Sequence, residues 1–326
     1  MYNIYVTRKL PGEALKKLEA LGTVTVYPND RNITKGELLE IVGDQDALIT
    51  MLSDPIDADL IAAGKRLKVI ANYAVGFNNI CLEEATKKRL PVVNTPDVLT
   101  NATADFTWAL LMSTARRVVE GDLLTRRGQF EGWAPELLLG PEVYGKTLGL
   151  IGAGRIGQAV AQRARGFKMR IFYHNRRRLP KRVEDNLGME YTDLKALLEG
   201  SDYVSLHCPL TPETKYLIDE EELNSMKPTA ILINTARGPV VNETALIKAL
   251  KRGTILGAGL DVFEDEPVLK PGLAQLPNVV ITPHIASAGR ETRLKMVEMV
   301  VSDVSAVLQG RRPRNIVNPE IYKEGS

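Results

Sequence analysis

The chain has 326 residues, of which 44% are hydrophobic and 25% are charged, and its formal net charge is +2. A chain of this length usually exceeds what one hydrophobic core serves, so two domains are expected. The small charge argues against nucleic acid or an anionic membrane surface as a partner, and no apolar run approaches the roughly 20 residues that span a bilayer.

Strand and helix patterns alternate through the first hundred residues. Short apolar or alternating runs predict five strands, and apolar residues at helical spacing predict four helices between them. Such alternation is typical of a parallel sheet with helices on its faces. The predicted strands are 3–7, 24–27, 47–52, 67–73 and 92–94, and the predicted helices are 12–21, 35–42, 57–63 and 82–89.

A long helix is predicted next, over residues 103–127, because this stretch has apolar side chains at helical spacing and few internal breakers. A loop with several glycines and prolines follows it. Strand–helix alternation then restarts at Thr147 and continues to Ile285, and a final helix is predicted over 290–308. The pattern therefore predicts two α/β units joined by the long helix.

The cysteines and histidines are few. Neither Cys81 nor Cys208 belongs to a CxxC pair, and the first residues lack the charged and apolar regions of a secretion signal. These features predict a reduced, cytoplasmic protein. None of the three histidines is spaced with another His, Cys or acid like a zinc site, so no metal is expected.

A glycine-rich motif opens the second unit. Gly152, Gly154 and Gly157 have the spacing GxGxxG between an apolar strand, 148–151, and a helix that begins at Arg155. The first glycine permits a tight turn, the second lets the backbone approach a pyrophosphate, and the third allows close helix–strand packing. The new helix offers the phosphates free N–H groups and a positive dipole end. A glycine-rich turn without a ligand is the alternative, but the flanking strand, helix and strand favour a dinucleotide site.

The end of the following strand indicates which dinucleotide binds. An NAD site usually has a carboxylate there, which accepts bonds from the ribose hydroxyls. This chain has Asn175, Arg176 and Arg177 instead, and the next carboxylate is Glu184. These residues could simply form a charged, solvent-exposed loop, but guanidinium groups also bind a 2′-phosphate bidentately. NADP(H) is therefore predicted as the preferred cofactor, with NAD(H) possible.

Three candidate catalytic residues, Arg237, Glu266 and His284, each follow an apolar strand. The carboxyl ends of strands in a doubly wound sheet lie along one edge, so these side chains are expected to converge there. Arg237 would bind a substrate carboxylate and polarise its carbonyl, His284 would donate a proton, and Glu266 would orient the imidazole. Singly, such an arginine or histidine is more often structural, but their joint placement favours hydride transfer to a keto acid.

Six segments carry a resemblance that covers almost the whole chain. They are residues 72–79 (NYAVGFNN), 152–157 (GAGRIG), 207–211 (HCPLT), 234–238 (NTARG), 259–267 (GLDVFEDEP) and 283–287 (PHIAS). Together they resemble the D-isomer-specific 2-hydroxyacid dehydrogenase family, and within it the glyoxylate/hydroxypyruvate reductases. The resemblance implies an α/β fold of two doubly wound parallel sheets. A Rossmann NAD(P)-binding domain, residues 100–287, would be inserted into a flavodoxin-like substrate-binding domain, residues 1–99 and 288–326.

The resemblance also implies ligand contacts. The backbone N–H groups of Val75 and Gly76 would bind the substrate carboxylate, although without the resemblance these residues would be interpreted as a strand-end turn. Cys208 and Pro209 would likewise be interpreted as the end of a strand. With Arg237 and His284 from the strand ends, the substrate contacts would be Leu52, Val75 and Gly76. The resemblance adds cofactor contacts to Gly152, Gly154, Gly157, Asn175, Arg176 and Arg177, and these are Thr103, Arg155, Ile156, Cys208, Pro209, Thr214, Ala236, Asp261 and Ser287.

The activity that the resemblance implies is reduction of glyoxylate and hydroxypyruvate to glycolate and D-glycerate. It also implies a homodimer formed through the cofactor domain, for which the long helix and the loop 132–135 are candidates, although a merely buried helix would have a similar apolar face. Three alternatives remain open on the sequence. They are another D-2-hydroxyacid dehydrogenase, a phosphite dehydrogenase of the same fold, and a non-enzymatic, dinucleotide-sensing protein like a transcriptional corepressor.

Overall fold

The computed structural model describes residues 1–322. The chain forms two compact units: one combines Met1–Leu99 with the segment from Ala288 onward, and the other is Thr100–Ser287. Within the described residues, every helix is too short or too polar to cross a membrane.

The helices and strands alternate along the chain. The strands are β1 (Tyr2–Val6), β2 (Gly22–Val26), β3 (Ala47–Thr50), β4 (Val69–Asn72), β5 (Val92–Val93), β6 (Thr147–Ile151), β7 (Arg170–His174), β8 (Met189–Tyr191), β9 (Tyr203–Leu206), β10 (Ile231–Asn234), β11 (Gly257–Leu260) and β12 (Val279–Ile281). The α-helices are α1 (Lys16–Glu19), α2 (Lys35–Val42), α3 (Ala58–Ala63), α4 (Leu82–Lys87), α5 (Thr100–Ala115), α6 (Val118–Arg126), α7 (Arg155–Ala164), α8 (Lys181–Leu187), α9 (Leu194–Gly200), α10 (Glu220–Ser225), α11 (Glu243–Arg252) and α12 (Arg290–Leu308).

The first unit is built on a five-stranded sheet with the order β2-β1-β3-β4-β5 and parallel pairing. This is the strand order of flavodoxin-like folds. Every residue of β3 and β4 is buried, as expected for central strands covered on both faces. The helix α12 packs on β3 and β4, and the Tyr73 hydroxyl donates a 2.7 Å hydrogen bond to the Arg293 carbonyl of this helix.

The second unit is built on a seven-stranded sheet with the order β12-β11-β10-β9-β6-β7-β8, again with parallel pairing. The first six strands of this unit in chain order, β6 to β11, have the order of the dinucleotide-binding Rossmann fold. In that fold the ligand crevice lies between the first and fourth strands, which are β6 and β9 here. The α/β fold with two doubly wound parallel sheets, predicted above, is confirmed.

Helix starts in both units follow from local sequence. Thr34 and Glu37 form a capping box at the start of α2, in which each side chain binds the other residue's backbone N–H. Asp193 caps α9 in the simpler way, and Asn242 caps α11 by accepting from two amides of its first turn. Gly253 ends α11 with a φ of 69°, a left-handed conformation that favours glycine.

The prediction of one long helix over residues 103–127 is wrong. Two helices, α5 and α6, occupy this region, and Arg117 between them has a left-handed backbone with a φ of 53°. A residue in this conformation interrupts the helical hydrogen-bond ladder, and the Arg117 side chain is held by Glu120 at 2.8 and 2.7 Å. No glycine or proline marks the break, so the apolar pattern continues through it. The predicted helix over 12–21 is also too long, since only Lys16–Glu19 is helical.

Candidate active site

The predicted ligand residues of the second unit line the carboxyl edge of its sheet. Most of them lie in loops that directly follow strands, where ligands bind in this fold. Gly152 and Gly154 follow β6, Asn175, Arg176 and Arg177 follow β7, Cys208, Pro209 and Thr214 follow β9, Ala236 and Arg237 follow β10, Asp261 and Glu266 follow β11, His284 and Ser287 follow β12, Arg155, Ile156 and Gly157 open α7, and Thr103 lies in α5.

The glycine-rich turn is too tight for side chains. Gly152 has a φ of 97°, and a Cβ there would lie 2.5 Å from the Cys208 nitrogen. A Cβ on Gly157 would lie 2.3 Å from the Gly152 carbonyl oxygen. The residue before α7 is Gly154, which has no side chain to cap the helix. These features fit the pyrophosphate of a dinucleotide, which binds to helix N-terminal amides.

Asn175 supports this turn from the neighbouring strand. Its Oδ1 accepts a 2.6 Å hydrogen bond from the Ala153 N–H. The side chain of Asn175 therefore holds the glycine-rich turn, a role that its position in the sequence did not predict. Whether it also contacts the cofactor stays a prediction.

The arginines after β7 differ in their partners. Arg178 binds the buried carboxylate of Glu184 in a bidentate pair at 2.7 and 2.9 Å, and the Tyr173 hydroxyl donates to the same carboxylate at 2.7 Å. The Arg178 and Tyr173 bonds lower the pKa of Glu184 to about 2. Arg176 and Arg177 are exposed, and neither forms a hydrogen bond or salt bridge within residues 1–322. Two guanidinium groups therefore remain available to an anion.

Two of the three candidate catalytic residues, Glu266 and His284, are in contact beyond the ends of β11 and β12. The His284 Nδ1 lies 2.8 Å from the Glu266 Oε2, and the other Glu266 oxygen accepts a 3.0 Å bond from the Phe263 N–H. Burial raises the pKa of Glu266. The hydrogen bonds from His284 and the Phe263 amide and the charges of His284 and Arg237 lower it by more, so the pKa is below its usual value. Glu266 therefore remains a carboxylate that accepts a hydrogen bond from the His284 Nδ1–H. The other imidazole nitrogen, Nε2, remains available for proton transfer to a ligand.

Arg237 lies at the same edge and is held through its backbone. The Asn234 side chain donates a 3.0 Å bond to the Arg237 carbonyl, and the Arg237 Nη1 donates to the Ala236 carbonyl at 2.6 Å. Burial lowers the pKa of Arg237, partly offset by the charge of Glu266. A guanidinium with such a high intrinsic pKa keeps its charge, so Arg237 is a partly desolvated cation suited to bind a carboxylate.

Asp261 holds the segment that carries His284. His284 has a left-handed backbone with a φ of 54°. This conformation costs free energy for residues other than glycine, so it must be stabilised by surrounding contacts. The fully buried Asp261 carboxylate accepts bonds from the Thr282 hydroxyl at 2.7 Å, the Ile285 N–H at 2.8 Å and the Ala286 N–H at 2.7 Å. The structure thus gives Asp261 a positioning role, whereas the predicted cofactor contact stays a prediction.

The first unit carries the predicted substrate residues Leu52, Val75 and Gly76, after β3 and β4. The Asn94 side chain donates to the Val75 carbonyl and the Asn72 side chain donates to the Gly76 carbonyl, each at 2.7 Å. Within the described residues, neither the Val75 nor the Gly76 amide donates a hydrogen bond. Their carbonyls are therefore held while their N–H groups remain free, which suits an anion such as a carboxylate.

Comparison with known proteins identifies the family. The sequence profile described as "D-isomer specific 2-hydroxyacid dehydrogenase, NAD binding domain" matches residues 108–286. The chain belongs to this family. The dehydrogenase is 51% identical to the glyoxylate reductase of Pyrococcus furiosus over 324 residues, which cover 98% of this chain and 96% of that protein.

Solved structures of relatives agree with this assignment. The TT0316 protein of Thermus thermophilus superposes with a TM-score of 0.90 at 50% identity, covering 97% of this chain and 99% of the other. An NADPH-dependent glyoxylate/hydroxypyruvate reductase of Sinorhizobium meliloti, in complex with NADP and malonate, superposes with a TM-score of 0.86 at 31% identity, covering 100% and 99%. The present chain is therefore an NAD(P)-dependent D-2-hydroxyacid dehydrogenase, as its resemblance implied.

The sequence analysis missed several residues that support the dehydrogenase's site. Asn72 and Asn234 are the last residues of β4 and β10, and Asn94 directly follows β5. The rule that selected Arg237, polar residues at the carboxyl ends of strands, would also have selected these three asparagines. Amide side chains do not ionise, so these asparagines do not stand out as candidates for proton transfer or charge pairing.

Proposed function

We propose that this dehydrogenase reduces small 2-keto acids with NADPH, converting glyoxylate to glycolate and hydroxypyruvate to D-glycerate. The observation that carries the proposal is the hydrogen-bonded pair of His284 and Glu266 with Arg237 beside it. The glyoxylate reductases among its relatives support the substrate class. Oxidation of NADPH by the purified protein, followed with glyoxylate, hydroxypyruvate and pyruvate, tests the proposal.

In the proposed mechanism, Arg237 binds the substrate carboxylate and polarises the neighbouring carbonyl. NADPH, when bound at the glycine-rich turn, would supply the hydride for the new C–H bond at the carbonyl carbon. His284 donates its Nε2 proton to the carbonyl oxygen, which becomes the hydroxyl of the product. Glu266 holds the Nδ1 proton and thereby fixes which nitrogen faces the substrate. The free Val75 and Gly76 amides of the first unit are further candidate donors to an anion.

The proposal has alternatives that this assay separates when it is run with an assay of NADP⁺ reduction by phosphite and a titration of dinucleotide binding. Reduction of pyruvate in preference to glyoxylate would indicate another D-2-hydroxyacid dehydrogenase, and oxidation of phosphite with NADP⁺ would indicate a phosphite dehydrogenase. Dinucleotide binding without turnover of any of these acids would favour a dinucleotide-sensing protein and would refute the proposed activity.

NADPH preference is attributed to Arg176 and Arg177. The S. meliloti relative, named an NADPH-dependent reductase, supports this part of the proposal. Replacing both arginines with alanine is expected to raise the KM for NADPH about 10-fold to 150-fold, because the 2′-phosphate loses charge-assisted hydrogen bonds worth about 1.5–3 kcal/mol. The KM for NADH should change less than about twofold, since NADH has no such phosphate. Steady-state kinetics with both cofactors measures the difference.

Arg182 provides a matched control for this experiment. It is an exposed arginine in the first turn of α8, beyond the turn that holds Arg176 and Arg177. Arg182→Ala should leave both KM values unchanged. An equal rise for NADPH and NADH in the double variant would show that the arginines do not bind the 2′-phosphate.

We further propose a homodimer formed through the segment that begins at α6. Eight large apolar side chains of this one segment are exposed, and Trp133 is 85% exposed. Such a concentration of exposed apolar side chains is unusual on a monomer surface, and a two-fold dimer would bury the same segment of both subunits. The exposed residues are Val118, Val119, Leu123, Phe130, Trp133, Leu137, Leu139 and Tyr144.

The combined substitutions Leu123→Glu and Trp133→Ser are expected to convert the dimer to a monomer, because a buried charge and a lost aromatic anchor each cost about 2 kcal/mol or more at an interface. Sedimentation velocity measures the change in mass. Leu256→Glu is the matched control, since Leu256 is an exposed leucine of the same unit outside the segment. A wild-type protein that sediments as a monomer would contradict the dimer. The cytoplasmic location stays a prediction from the sequence.

A further inference from the structure

Two glutamates of the second unit bind each other's backbone. Glu243 is the first residue of α11, and Glu264 lies in the loop after β11. The Glu264 N–H donates to the Glu243 Oε1 at 2.6 Å, and the Glu243 N–H donates to the Glu264 Oε1 at 2.6 Å. The two bonds close a ring, so the pair fixes the distance and the orientation between its two segments.

Both carboxylates are withdrawn from solvent. Glu243 is 2% exposed and its Oε2 has no hydrogen-bond partner within residues 1–322. The Glu264 side chain is 7% exposed, and its Oε2 lies 3.1 Å from the Tyr216 hydroxyl and 3.3 Å from the Lys270 ammonium. Burying a carboxylate with an unpaired oxygen costs free energy. An exposed residue at the first position of α11 would avoid this cost, so the helix itself gives no reason for a buried glutamate there. The cap of this helix is already supplied by Asn242, so helix capping does not explain Glu243.

The two joined segments carry two of the proposed catalytic residues. Gly238 directly follows Arg237 and lies five residues before Glu243. A Cβ on Gly238 would lie 1.9 Å from the Phe263 carbonyl carbon. The backbone beside Arg237 therefore touches the backbone beside Glu264. Glu266 accepts a hydrogen bond from the Phe263 N–H, and Glu243 accepts one from the next amide, that of Glu264, so two consecutive amides of this loop are bound by carboxylates.

We propose that Glu243 and Glu264 are positioning residues that hold the Arg237 segment and the Glu266 loop at their working separation. The inference rests on the catalytic roles proposed above for Arg237, Glu266 and His284. Carboxylates suit this task because a charged acceptor binds a backbone N–H about twice as strongly as a neutral one. A reactive geometry is sensitive to such support, since a displacement of about 1 Å can cost about 100-fold in rate.

Glu243→Ala tests the inference, because it removes the acceptor of the Glu264 N–H. The variant is expected to lower kcat for glyoxylate about 30-fold, with the KM for NADPH within about twofold of the wild type, since the glycine-rich turn after β6 and the arginines after β7 lie outside the two joined segments. Glu243→Gln keeps an oxygen at the same place and should restore kcat to within about threefold of the wild type. A general loss of structure would change both KM and thermal unfolding, whereas a lost alignment changes kcat.

Glu220→Ala is the matched control. Glu220 is the first residue of α10, follows a capping aspartate as Glu243 follows a capping asparagine, and is exposed. Its variant should keep wild-type kcat. If Glu243→Ala does not fold, Glu243→Asp replaces it, because the shorter side chain keeps the charge but withdraws the oxygen from the Glu264 amide, and the same loss of kcat is expected.

A double-mutant cycle completes the test. If the two glutamates act as one unit, Glu264→Ala and Glu243→Ala should each lower kcat, and the double variant should be little slower than the slower single variant. Additive losses, or a Glu243→Ala variant as fast as Glu220→Ala, would overturn the inference. Failure of the wild type to reduce any keto acid would instead overturn the proposed function, so the two failures are distinguishable.

Discussion

Arg237→Ala is expected to lower kcat/KM for glyoxylate about 1000-fold or more. The partly desolvated guanidinium is the cation at the sheet edge beside Glu266 and His284, and its loss leaves both the substrate carboxylate and the developing charge on the carbonyl oxygen without a partner. Removal of one donor to a developing oxyanion typically costs about 100-fold to 1000-fold, and the lost carboxylate pair adds to this. Initial rates over a range of glyoxylate concentrations measure the loss.

Two controls make this result specific. Arg237→Lys keeps the charge but not the bidentate geometry, so it should recover only part of the activity. Arg252→Ala removes an exposed arginine at the end of α11 and should leave the kinetics unchanged. Turnover within about tenfold of the wild type in Arg237→Ala would show that another group binds the carboxylate.

His284→Ala is expected to lower kcat about 100-fold to 10,000-fold, the usual range for loss of a general acid. NADPH affinity, measured by fluorescence titration, should change less than about twofold, because the phosphate-binding turns follow β6 and β7 while His284 follows β12. Binding and chemistry would thus be separated in one variant.

Glu266→Gln extends the test of this pair. An amide oxygen can still accept the Nδ1 proton of His284, but without the charge that favours a proton on the imidazole. The expected loss of kcat is therefore smaller than that of His284→Ala. A His284→Ala variant with nearly normal kcat would refute the role of proton donor, whatever the behaviour of Glu266→Gln.

Much of the fold could be predicted because its signals are local. Alternating strands and helices indicate parallel sheets, and the GxGxxG spacing in a strand–turn–helix context indicates the Rossmann order that the structure has. The break between α5 and α6 could not be predicted, because its cause is a left-handed Arg117 held by Glu120 and not a glycine or proline. A non-glycine residue in this conformation leaves no mark in the apolar pattern.

The site divides in the same way. Arg237, Glu266 and His284 could be found because each follows a strand, and parallel strands end along one edge. The residues that hold them depend on contacts across the sheet edge. Asp261 supports the backbone around His284, and Glu243 reaches the Glu266 loop from a helix that is distant in sequence. No short spacing encodes such pairs, so they emerge only once the strands are in register.

The interrupted course of the first unit also bears on how the chain folds during synthesis. Its central strands are made early, yet α12, which packs on β3 and β4, is made only after the whole inserted unit. Closing so long a loop adds little to the equilibrium cost, about 0.6 kcal/mol for each doubling of its length. The consequence is kinetic. The inserted Rossmann unit is continuous in sequence and can fold on the ribosome, but the apolar surface of β3 and β4 stays exposed until α12 has been synthesised. Chaperone contacts with the nascent chain are therefore expected at β3 and β4.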